Sequence, residues 1–83
     1  MKIRIQRIGR SIHYNWHYVD SRMMEGTIKG GIRPGIELEV QFAHLDQGRW
    51  HTTKITKIEY TNDKEQLVHT KNSIYLVRKG WEE

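Results

Sequence analysis

The chain has 83 residues, with 14 Lys and Arg against 10 Asp and Glu, enough for one domain over residues 1–83 and no second core. It has no cysteine, which excludes disulfide staples and thiolate metal sites and fits a reducing, cytoplasmic setting. Its longest apolar runs span only a few residues, too short for a bilayer span or the apolar part of a signal peptide.

Ten isoleucines, four valines and six threonines stand against one alanine and four leucines. β-Branched residues fit a pleated, half-buried surface, whereas Ala and Leu favour helix, so the expected class is all-β. The first element, KIRIQRI, alternates Ile3 and Ile5 against Lys2, Arg4 and Gln6, the pattern of a half-buried strand. Gly9 is expected to interrupt it. SIHYNWHYV alternates again, with Ile12, Tyr14, Trp16 and Tyr18 on one face and His13, Asn15, His17 and Val19 on the other. In DSRMMEGTIKGG, a helical turn at Ser21–Glu25 is expected before a strand at Gly26–Lys29. GGIRPG reads as a loop, where Gly30, Gly31 and Gly35 permit positive φ and Pro34 breaks a ladder.

IELEVQF is the clearest strand, with Ile36, Leu38, Val40 and Phe42 inward. AHLDQGR makes a hairpin-length connection containing Gly48. In WHTTKITKIEYT, Ile55 has odd parity but Ile58 and Tyr60 even parity. A bulge near Thr56–Lys57, or burial on both faces, resolves the conflict. NDKE is a tight polar turn. QLVHTKNSIYLV closes the chain, with a bend at Asn72–Ser73 whose side chains bond nearby backbone. Five or six short antiparallel strands gain most by rolling into a small, partly open barrel, SH3-like or OB-like, which leaves fewer edges than a flat sheet.

Trp50, Thr52, Thr53 and Ile55, followed by Thr70, Asn72, Ser73 and Tyr75, form a pattern that resembles one in small uncharacterised phage and bacterial β proteins. That pattern is a glycine turn, a Trp-x-Thr-Ser-x-Val strand and a final Thr-x-Asn-Ser-x-Tyr strand. Thr53 and Ile55 replace its Ser and Val. The resemblance covers the C-terminal half. It implies a β-hairpin fold and a phage or mobile-element origin, and no activity.

Chemistry-bearing constellations are sparse. His13 and His17 stand four apart, but a tight metal site needs further ligands, and nothing in the spacing forces His44, His51 or His69 to supply them. The histidines therefore read as surface groups, with no metal and no cofactor implied. Most carboxylates read as outward or turn residues and pair into no acid–base motif. GTIKGG lacks P-loop spacing, so no enzyme is expected.

Residues 1–19 carry Lys2, Arg4, Arg7 and Arg10 and no acid. These arginines, with His13 and His17, suit phosphate contact, while Tyr14, Trp16 and Tyr18 suit stacking on unpaired bases. Lys29 and Arg33 extend the basic set. Against this, periodicity favours Trp16 as an inward core residue, and Lys2 and Arg4 equally suit a solvated edge that discourages aggregation. A partner-protein reading rests on Trp16, Tyr18, Arg22, Met23 and Met24, residue types enriched at interface hot spots. The expectation is a non-catalytic binding protein whose partner is nucleic acid or a nucleoprotein. The alternative is a phage-type protein that inhibits or adapts a host protein, an anti-defence or host-takeover factor. No membrane partner is implied, and a homodimer stays open.

Overall fold

The computed structural model describes residues 2–13, 15–19, 21–42 and 49–79. Seven strands make one antiparallel sheet: β1 (Lys2–Ile12), β2 (Asn15–Tyr18), β3 (Met24–Ile28), β4 (Glu37–Phe42), β5 (Arg49–Asn62), β6 (Glu65–Thr70) and β7 (Ser73–Lys79). Their order is β2-β1-β3-β4-β5-β6-β7, and β1 also pairs with β7. That last pairing turns a meander into a ring. The all-β, antiparallel, small-barrel expectation is therefore met.

The strand count exceeds the expectation because QLVHTKNSIYLV, expected as one closing segment with a bend, forms two strands, β6 and β7, paired as a hairpin. β2 and β3 both run along the same edge of β1, with Tyr18 opposite Gly9 and Met24 opposite Ile5. Extra residues on their side loop out between them. Side chains stitch the gap: Gln6 Nε2 donates to Ser21 O at 2.7 Å and Ser21 Oγ donates to Arg7 O at 2.6 Å. The expected helical turn at Ser21–Glu25 is absent. Met24 and Glu25 instead continue the ladder against β1, and that backbone pairing outweighs local propensity.

The core follows the alternation. Ile3, Ile5, Ile28, Leu38, Val40, Phe42, Ile55, Val68, Tyr75 and Val77 are buried together. Gly26 permits the closest strand contact: a Cβ there would lie 2.6 Å from Val40 Cγ1 and 2.9 Å from Gln41 O. The expected irregularity near Thr56–Lys57 is present as a register shift between Ile55 and Lys57. It places Ile55 opposite Thr70 and Ile58 opposite Val68, so both isoleucines serve the interior, while Tyr60 stays exposed. Gly30 and Gly35 adopt the positive φ expected of the loop, at 82° and 92°. The β6–β7 reversal is bonded by Thr70, whose Oγ1 accepts from Ser73 N and donates to Ser73 O. The AHLDQGR connection lies largely outside the described residues.

Candidate nucleic-acid interface

The basic segment folds as a hairpin arm on the ring, which corrects two expectations. Gly9 does not end β1: it is buried, and the strand runs on to Ile12. The single strand expected over SIHYNWHYV reverses at His13, which holds φ 50°, and Ile12 faces Asn15. A positive φ at the first loop position matches the primed turns that connect tight hairpins.

That reversal redistributes the faces. Directly opposed residues of an antiparallel pair share a face. Arg10 lies opposite His17, whereas Ser11 lies opposite Trp16 and Gly9 opposite Tyr18. Cations and rings therefore take opposite sides of the arm. Trp16 is 50% exposed and Tyr18 80%, so the inward reading of Trp16 is overturned. β2 pairs with β1 alone among the described residues, and nothing described covers it. Tyr14 lies outside the described residues.

The ring side of β1 carries the second feature. Arg7 lies opposite Tyr75 and Arg10 opposite Ser73, with a one-residue slip between Arg7 and Gly9. Positions 7 and 10 differ in parity, so a regular strand would send them to opposite faces. The slip brings both to the face that carries the buried Tyr75 and Ser73. Gly9 lies opposite Ile74 on the other face, where a Cβ would sit 3.3 Å from Ile74 Cδ1.

Two adjoining depressions open on this face. An apolar groove of ≈ 380 Å³ is lined by Ile5, Met24, Phe42, Trp50 and Tyr75, with Arg7, Ser21 and Arg22 at its border. A polar cleft of ≈ 500 Å³ is lined by Arg7, Arg10, Ser11, Thr52, Thr70 and Ser73 among others, and shares Arg7, Trp50 and Tyr75 with the groove. Trp50 is held by Phe42, with centroids 5.6 Å apart and a 45° tilt, and by Tyr75, at 5.3 Å and 77°. Neither lining includes a described carboxylate. Arg7 and Arg10 are exposed and form no ion pair among the described residues. His51 borders the polar cleft with its Nδ1 3.2 Å from Glu37 Oε1.

The remaining basic residues are dispersed. Arg4 sits 3.3 Å from Glu25, which neutralises part of its field. His13 is exposed at the turn, and Lys29 and Arg33 are exposed in the β3–β4 loop, outside both linings. Arg22 is exposed at the groove border, Met23 is half-buried, and Met24 packs against the core. Among the described residues, no three His, Asp or Glu gather as a metal site.

Periodicity missed Trp50, Tyr75, Thr52 and Ser73 as site residues. All four belong to the C-terminal pattern, whose Trp50, Thr52, Thr53, Thr70, Asn72, Ser73 and Tyr75 line the polar cleft, while Tyr75 and Ile55 also belong to the buried core. No helix among the described residues is long and apolar enough to cross a membrane. No family model matches the chain, and neither a curated protein nor a solved structure matches it.

Proposed function

We propose that this chain is a non-catalytic cytoplasmic protein that binds single-stranded nucleic acid, or a nucleoprotein presenting a strand. The observation that carries this reading is the placement of Arg7 and Arg10 on one face, beside Trp50, in a depression without described carboxylates. Guanidinium groups offer planar, bidentate donors to phosphate, and a ring beside them offers a surface for an unpaired base. Arg22 adds a third cation at the groove.

Salt dependence tests the reading. About three phosphate contacts to a single strand predict that log affinity falls against log salt with a slope of about −2. Arg7→Gln with Arg10→Gln should bring the slope to about −0.7 by removing two contacts. No mobility shift with any single strand at low salt would discard the reading.

One observation favours a second reading. Trp16 and Tyr18 are exposed on a short strand that pairs on one side only among the described residues. Such an edge accepts a strand from a partner protein, with rings as anchors. A phage-type adaptor or inhibitor of a host protein would use it, in keeping with the resemblance of the C-terminal pattern. Its binding would survive high salt and be lost in Trp16→Ala with Tyr18→Ala.

A further inference from the structure

We propose, building on the nucleic-acid reading, that the groove and cleft together form a subsite for one unstacked nucleotide. The base enters the apolar groove against Trp50, and its phosphate lies between Arg7 and Arg10 in the polar cleft. The two depressions adjoin and share Arg7, Trp50 and Tyr75, so one ligand can span both.

The division of chemistry matches a nucleotide. The groove, at ≈ 380 Å³, falls within the size range of small-ligand pockets and presents mostly apolar wall. Its ring surface is fixed in place, because Phe42 meets Trp50 at a tilt and Tyr75 meets it edge-on. Neither contact is a parallel stack, so among the described rings none takes the position a base would occupy. The cleft is polar and bordered by two guanidinium groups with no ion-pair partner among the described residues.

The hydroxyls of Thr52 and Thr70 are already committed. Thr52 Oγ1 donates to Thr53 O and accepts from Leu38 N, and Thr70 Oγ1 bonds Ser73 in both directions. They shape the wall, and recognition of the anion falls to the arginines. An acidic side chain would satisfy those arginines but leave the groove empty. An apolar side chain would fill the groove but leave the arginines unanswered. A nucleotide satisfies both, and its source is either a strand or a free mononucleotide.

The experiment uses Trp50 as reporter. Trp16→Phe with Trp81→Phe leaves it the sole tryptophan of the three. Four probes are titrated at low salt: a single-stranded oligonucleotide, the same strand made abasic throughout, a mononucleotide and inorganic phosphate. The expected result is quenching by the oligonucleotide, with the abasic strand bound about 5- to 150-fold more weakly through loss of base stacking. Arg7→Gln with Arg10→Gln, changes to exposed side chains that leave the Trp50 packing intact, should weaken the oligonucleotide and the mononucleotide alike.

Equal affinity for the abasic strand, with Trp50 emission unchanged, would overturn the subsite and leave the nucleic-acid reading standing. Quenching by the mononucleotide without any oligonucleotide binding would support the subsite and assign it to a free nucleotide, ending the strand reading. Response to inorganic phosphate equal to that of the mononucleotide would overturn the subsite as a place for a base.

Discussion

The β6–β7 hairpin and the β1–β2 arm are both alternating antiparallel pairs, yet only one has its apolar residues covered. In β6 and β7, Val68, Tyr75 and Val77 are buried, and so are Gln66, Thr70 and Ser73. In the arm, Ile12, Trp16 and Tyr18 are exposed. The difference lies in the neighbours. β6 and β7 are each paired on both sides, with β5 and β1 at the outer positions, and their inner face looks into the ring. β2 extends past the ring, and no described element lies across from it. Alternation states which residues share a face. Whether that face is covered depends on pairings between distant parts of the chain.

Substitutions can break this comparison. Leu38→Ala inside the ring should cost about 2–5 kcal/mol in urea unfolding, as a fully buried leucine leaves a cavity. Trp16→Ala on the arm should stay within about 0.5 kcal/mol, since an exposed side chain loses little packing. A loss near 2 kcal/mol at Trp16 would mean that the arm is covered in solution.

The ring can be probed more finely at Gly26. Gly26→Ala pushes a methyl into Val40 and the Gln41 carbonyl, and a cost of about 1–3 kcal/mol is expected from overpacking. An unchanged denaturation midpoint would show that β3 and β4 separate easily, and that closure at that seam is loose.

The smallest effect is expected on the outer surface. The Glu65 carboxyl is held below its ordinary 4.5, first by the Arg78 guanidinium, whose Nε lies 2.6 Å from Oε2, against a smaller opposing effect of burial. A depressed carboxyl stabilises the fold above its unfolded value and loses that contribution as pH falls through the folded one. The gap between wild type and Glu65→Gln should therefore be widest near neutrality and close below pH 4.5. The pair is exposed and the gap small. Denaturation midpoints measured from pH 7 to pH 3 would check it, and a gap that widened in acid would contradict the assignment.

Much of the ring was legible because apolar parity carried it. Ile36 to Phe42 state their faces without ambiguity, and the conflict between Ile55 and Ile58 announces a shift, since both isoleucines need the interior. The arm was not legible. Its reversal at His13 uses no Asn-Gly or Asp-Gly pair, and a non-glycine residue with positive φ is uncommon. The slip after Arg7 left no trace in the pattern either. An arginine at the rim of a cleft is tolerated on either face, so polar residues there cannot report their own orientation. The rings that meet those arginines, Trp50 and Tyr75, come from strands far along the chain and adjoin β1 only once the barrel closes.

The slip in β1 makes the direction of Arg10 a matter of counting. Removing Ile8 would take out the extra residue and leave Arg7 and Arg10 two apart, so that a regular strand keeps both on one face, opposite Tyr75 and Ser73. A single-codon deletion would thus straighten β1 while sparing the shared face of the two guanidinium groups. In related chains, a gap of one residue between these arginines would signal the same cationic face carried on a strand without the bulge.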